Sequence, residues 1–174
     1  SFNSTGGTLI TKEESSLESA VISGITCTND DSKLILRNVP DTPGIAAKIL
    51  SPISDAGIDI DVIVQNVGSD KLTDFTFTVK NDHSDEAAKI LSNLVKTLGG
   101  GEIELVNDIS KVSVVGVGMK SHAGVAAQMF KALADKQINI DMISTSEIKI
   151  SVVVSKAKAE AAVKALHDEF ELDK

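Results

Sequence analysis

One constant offset lays "PGIAAKILSPISDAGIDIDVI", residues 43–63, over "AGVAAQMFKALADKQINIDMI", residues 123–143, without a gap. Gly44, Ala46, Ala47, Asp55, Ile58, Ile60, Asp61 and Ile63 recur as Gly124, Ala126, Ala127, Asp135, Ile138, Ile140, Asp141 and Ile143. Matches at that density mark a duplicated module. Hydrophobic periodicity supplies the order within each copy. In the first, strands are expected at about 33–39, 58–66, 72–80 and 102–107, with helices at about 43–56 and 84–98. Ser84 suits the N-cap of the second helix, Asp85 and Glu86 its positive end, and Gly99 to Gly101 its termination. From residue 111 the order restarts, with strand "KVSVVGVG", a helix at about 123–136, strands at about 138–146 and 148–155, and a helix at about 157–170.

The β-α-β-β-α-β order predicts an α+β chain of two ferredoxin-like modules, each an antiparallel sheet with helices on one face. The second copy lacks its closing strand, because only "ELDK" follows its last helix, while the chain has one strand too many at its start, "SAVISGITCT". Residues 20–28 are therefore expected to complete the second sheet, nesting the first module inside the second. The implied organisation is a linker at 1–19, a first module at 33–109, and a second built from 20–28 plus 110–174.

With 42% hydrophobic residues but only five Phe and no Trp or Tyr, the cores must be built from Val, Ile, Leu and Ala. A formal charge of −8, with Arg37 the single arginine, argues against a sequence-independent grip on nucleic acid, which needs clustered cations. RNA binding on such sheets would also need exposed aromatics. No apolar run approaches the roughly 20 residues that span a bilayer, so the chain is expected to be soluble, cytoplasmic and without membrane contact. Cys27 is alone, and His83, His122 and His167 lie far apart, so neither a disulfide nor a metal cluster is expected. The polar start "SFNSTGGTLITKEESS", without an initiator Met, reads as the tail of something longer.

The candidate site is the strand-to-helix turn "NVPDTPGIAAKIL". At a helix start the backbone N–H groups, here of Gly44, Ile45 and Ala46, lack intrahelical partners and favour an anion such as a carboxylate. Along "GIDIDVIVQN", simple alternation puts Asp59, Asp61, Ile63 and Gln65 on one face and Ile58, Ile60, Val62 and Val64 on the other. Acid and amide groups beside a carboxylate site suit a zwitterion, although the same pattern also describes the solvated face of a half-buried strand. No nucleophile-base pair stands out, "STGG" lacks the Lys-Ser/Thr of a phosphate loop, and Asp30 and Asp31 sit in a turn signal. Binding or regulation is expected rather than catalysis.

"DTPGIAAKIL", "GIDIDVIVQNV", "KVSVVGVGMKSHAGVAAQMFKALADKQINIDMISTSEIKISVVV" and "AAVKALHDEF" closely resemble the regulatory half of bacterial aspartate kinases, with its tandem ACT domains. "GTLI" followed by "VISGIT" resembles the junction leaving the catalytic domain of that family. The resemblance covers nearly the whole chain. It implies an allosteric part, or separate small subunit, of the enzyme that phosphorylates aspartate with ATP, without that enzyme's ATP-binding or aspartate-binding core. It implies feedback control by threonine and lysine, a homodimer in which the first ACT domain of one chain meets the second of the other, and a catalytic domain or subunit as partner. No cofactor is implied.

Carried over by position, the first seam would use Asp41, the turn Gly44, Ile45 and Ala46, Ile58 and Gln65, with Asn139 and Ile140 from the partner chain. The second would use Ser121, the turn Gly124, Val125 and Ala126, Ser146 and Glu147, with Ile60 and Asp61 from the partner. A lysine ligand's ammonium would find its carboxylate in Glu147, Asp59 or Asp61. The chain departs from relatives at Asp59, where Asn is frequent, at Ala123, where Pro is, and at Ala126, where a Thr hydroxyl is lost from the second seam. An ACT module of another amino-acid enzyme, or a purely dimerising domain, is the alternative.

Overall fold

The computed structural model describes residues 21–68, 71–98, 100–117 and 123–172; the expected linker at 1–19 lies outside them. In chain order the elements are β1 (Val21–Thr28), β2 (Asp31–Pro40), α1 (Ile45–Asp55), β3 (Ile60–Val67), β4 (Leu72–Lys80), α2 (Ser84–Leu98) and β5 (Glu102–Val106). There follow β6 (Ile109–Val117), α3 (Ala123–Asp135), β7 (Met142–Thr145), β8 (Lys149–Ser155) and α4 (Ala159–Glu169). They form two antiparallel four-stranded sheets, ordered β3-β4-β2-β5 and β1-β6-β8-β7. β1 pairs with β6 from Val21 opposite Val117 to Thr28 opposite Lys111, so the N-terminal strand completes the second sheet. No helix among the described residues is long and apolar enough to cross a membrane.

Each sheet buries one face against its own helices. Leu34, Leu36, Phe75, Phe77 and Val79 pack against Ile45, Ile49, Ile53 and Leu91. In the second module Val112, Val114, Val152 and Val154 pack against Met129, Leu133, Ala162 and Leu166. Phe75 and Phe77 meet edge to face with centroids 6.3 Å apart; the other buried apolar side chains are aliphatic apart from Met129 and Met142, with Phe130 and Phe170 packing against the second core from its margin.

Three local readings change. Ser84 stands inside α2 after a 3-10 turn, and its hydroxyl donates to the Asn81 carbonyl at 2.8 Å rather than capping the helix N–H groups. Ile58 and Ile138, expected to open strands, instead close the helices before them: their N–H groups donate to Ile53 and Leu133 carbonyls at 3.2 and 3.0 Å, and both side chains are buried. The chain reverses at Gly57 and Gln137, both left-handed, with φ of 73° and 53°, a conformation that glycine adopts without strain and glutamine does not. The third change lies in β3. Ile60 faces Val79 but Ile63 faces Phe77, so β3 carries one extra residue there, a β-bulge. The displaced Val62 N–H donates to Thr78 Oγ1 at 3.1 Å.

The bulge reverses the faces. Ile60 packs into the first module's core, whereas Val62 and Val64 join Ile109, Met142 and Val153 in a separate cluster between the modules. The helix-free faces of the two sheets thus turn toward one another. Polar groups lie in this seam: Lys33, Thr78, Ser113 and Ser151 are all buried, the last two hydroxyls 2.8 Å apart.

Beside the seam, Asp31 is buried and accepts bonds from Lys80 Nζ at 2.9 Å and Thr28 Oγ1 at 3.1 Å, with Lys111 Nζ also 3.1 Å away. Burial pushes its carboxyl up, but the bonds from Lys80, Lys111 and Thr28 outweigh burial and hold it below the usual carboxylate range. A depressed carboxylate stabilises the fold above its unfolded pKa and ceases to do so as pH falls through the folded value. Asp31→Asn should therefore lower the melting temperature at neutral pH and flatten its fall at acid pH. Thermal unfolding followed from pH 7 to pH 2 checks this, and an unchanged acid limb would refute it.

Candidate functional site

The turn ahead of α1 is shaped by one residue. Gly44 caps the helix with φ of 91° and ψ of 0°, a left-handed conformation, and a Cβ placed there would meet nothing within 4 Å. The cap leaves the mouth of the helix open. Thr42 closes the preceding turn by accepting the Ile45 N–H at 3.0 Å, and Asp41 is tied to the Lys71 carbonyl at 2.8 Å. Ile45 is therefore not a free donor, contrary to expectation. The N–H groups of Gly44 and Ala46 have no backbone acceptor among the described residues.

Across from this mouth, β3 presents Gln65 on the helix side of the sheet, opposite Phe75 in the ladder. Asp41, Thr42, Pro43, Gly44, Ile45, Ala46 and Gln65 line a groove of about 440 Å³. It offers backbone donors at a positive helix end, a carboxylate at Asp41 and a side-chain amide that can both donate and accept. Those groups suit the two ends of an amino acid.

The chain brings together Asp41, Gly44, Ile45, Ala46 and Gln65, and it keeps others apart. The Ile58 side chain is buried in the first core, so it offers the groove no side-chain contact. Asn139 and Ile140 belong to the second module. Asn139 Nδ2 lies 3.4 Å from Asp141 Oδ1, and Ile140 lines a different cleft of about 300 Å³ between the modules, with Lys33, Val64 and Met142. Asp61, expected to share a face with Gln65, instead points into the module seam and holds the Lys111 ammonium. The bulge separates the two.

The second turn does not copy the first. α3 already includes Ala123, and Gly124 lacks the left-handed φ of Gly44, so Gly124, Val125 and Ala126 form a helical first turn with Val125 buried. Ser121 lies outside the described residues. Ser146 closes the tight turn between β7 and β8: its N–H donates to the Lys149 carbonyl at 2.8 Å, and its hydroxyl accepts the Lys149 N–H at 3.2 Å. Glu147 is exposed on that turn, and Ile60 is turned into the first core. Among the described residues, no group of His, Cys, Asp and Glu could hold a metal ion.

Sequence reasoning missed Thr42 and Pro43 as groove walls, although both stand within the quoted turn. It also missed Lys33 and Lys111. Their signal was the repeated Ser-Lys, at 32–33 and 110–111, at the head of the first strand of each module.

Residues 34–97 and 112–170 each match the ACT domain family. The chain is 58% identical over 174 residues to the aspartate kinase of Pseudomonas fluorescens (strain SBW25), covering 99% of this chain and 42% of that protein. It is 43% identical over 177 residues to the aspartokinase of Helicobacter pylori (strain 26695), covering 99% of this chain and 43% of that one. The chain thus spans about two fifths of the length of these relatives. Among solved structures, the ligand-free regulatory subunit of aspartate kinase from Thermus thermophilus superposes with a TM-score of 0.82 at 42% identity, covering 86% of this chain and 98% of that one.

Proposed function

The chain belongs to the aspartate kinase family through its regulatory pair of ACT domains, and on that premise we propose that it senses amino acids and relays their level to a kinase core. Threonine and lysine are the effectors. The observation that carries this reading is the groove at the mouth of α1, where Gly44 holds the backbone open opposite Gln65. The effector's carboxylate sits on the N–H groups of Gly44 and Ala46, and Gln65 bonds its polar groups.

A second copy of the chain completes each groove, bringing Asn139 and Ile140 to the first and the edge-strand backbone at Ile60 and Asp61 to the second. The edge strands β3 and β7 support this, because each exposes the same repeated residue: Ile63 is 49% exposed and Ile143 46%. An unpaired edge with an apolar side chain is a ready pairing surface. Of the carboxylates considered for a lysine ammonium, Asp61 already holds Lys111 within the chain, and Asp59 and Glu147 are both exposed. An effector that prefers one arrangement by about 1–3 kcal/mol shifts affinity at a coupled site 5–150-fold, enough for feedback control of the kinase.

Isothermal calorimetry with threonine and with lysine tests the reading. Both should bind the chain, and Gln65→Ala should weaken threonine roughly tenfold or more, as expected when a hydrogen bond to a charged group worth about 1.5–3 kcal/mol is lost. Absence of binding by either amino acid would reduce the domain pair to a docking or dimerising element.

A further inference from the structure

The two modules are joined inside one chain by ion pairs that the duplication makes equivalent. Lys33, near the start of β2, reaches Asp141 just ahead of β7, with Nζ to Oδ2 at 3.0 Å. Lys111, near the start of β6, reaches Asp61 at the start of β3, and Asp31 lies 3.1 Å away as a second carboxylate. Asp61 and Asp141 are repeats of one another, and each lysine follows a serine at the head of its module's first strand. Each module thus offers a lysine to the other's aspartate.

These are not loose surface pairs. The side chains of Lys33 and Lys111 are only 10% and 14% exposed. A pair whose ammonium is largely out of water leaves a poorly solvated charge when broken, more so at Lys33 than at Lys111, which keeps Asp31, while the aspartates Asp141 and Asp61 are 33% and 44% exposed. Burial presses Lys111 toward its neutral form, and the bonds to Asp61 and Asp31 outweigh it.

Their positions matter for signalling. Asp61 lies four residues before Gln65 on one strand, and Asp141 directly follows Asn139 and Ile140. Both pairs grip segments that leave an effector groove, and both anchor them to the first strand of the opposite module. A shift of either aspartate on ligand binding must move the other module or stretch a bond.

We propose that Lys33–Asp141 and Lys111–Asp61 are positioning pairs that set the angle between the modules and couple their two grooves; the coupling rests on the effector reading above. Neither pair touches the groove at Gly44, so toward that groove their role is transmission. The experiment records residual dipolar couplings on the ¹⁵N-labelled chain, with threonine titrated in the presence and absence of lysine. In the unmodified chain the couplings of both modules should fit one alignment tensor, and lysine should alter threonine affinity by about fivefold or more. In Lys33→Met with Lys111→Met, which keeps the apolar stems, each module should still fit alone but not jointly. The effect of lysine should then fall below about twofold, well under the usual range of coupling. Exchanging the charges, Lys33→Glu with Asp141→Lys, should restore the joint fit lost in Lys33→Glu alone, and with it the effect of lysine on threonine affinity, which rescue of fold stability alone would not do. A joint fit that survives in the double methionine variant, or an exchange no better than the single change, overturns the proposal. An unmodified chain that binds neither amino acid sinks the effector reading and the coupling with it, and the alignment result then decides the orienting role separately.

Discussion

Gly44→Val should abolish threonine binding while leaving both modules folded. The native φ of 91° lies where a β-branched residue is a true outlier, so valine must either bear the strain or rebuild the turn. No neighbour blocks a Cβ at this position, so the stability loss comes from backbone strain, about 1–3 kcal/mol. The effect on binding is larger. The valine methyls occupy the open mouth where the backbone N–H groups meet a carboxylate, and a rebuilt turn turns those groups away. A loss of about a hundredfold or more is expected, equivalent to roughly 2.7 kcal/mol or more. Gly44→Ala, with the strain but little of the bulk, should fall between the two. Calorimetry beside thermal unfolding separates strain from obstruction, and a Gly44→Val chain that binds threonine like the unmodified one would remove this turn from the site.

Deleting β1, so that the chain begins at Asn29, should unfold the second module and spare the first. β6 then loses its antiparallel partner from Val21 to Thr28, and the second core loses the packing of Ile22 and Ile25. A module of this size is marginal, with a margin of a few kcal/mol, so losing one of four strands exceeds it. β6 also becomes a bare edge beside buried valines, which favours aggregation. The first module keeps all four strands and both helices. In a ¹H–¹⁵N spectrum the resonances of residues 123–172 should collapse while those of 31–68 stay dispersed, and a separate peptide of residues 21–28 should partly restore them. A dispersed second module in the truncated chain would contradict the nested arrangement.

Much of the fold was legible because duplication leaves a strong mark. Aligning Gly44 to Ile63 on Gly124 to Ile143 fixed the module count, and counting strands sent β1 to the second sheet. Alternation failed at β3, since it assumes an unbroken ladder and the bulge inserts one residue whose N–H is taken by Thr78 Oγ1. That single insertion carried Asp61 away from Gln65. The apolar pattern likewise could not distinguish a strand's first residue from a helix's last plug, which is what Ile58 and Ile138 are. The difference between Gly44 and Gly124 was hidden because identical residues can hold different φ values when their preceding residues differ. Lys33 and Asp141, separated by 108 positions, could be joined only once both sheets were in place.

The seam between the sheets buries hydroxyls and ammonium groups as well as a few aliphatic side chains. The hydroxyls can exchange their partners for water at modest cost, whereas the ammonium groups of Lys33 and Lys111 are held by carboxylates and do not part from them so readily. The joint is thus latched by its two lysine pairs and wettable between them, so the modules move against one another only where a pair lets go.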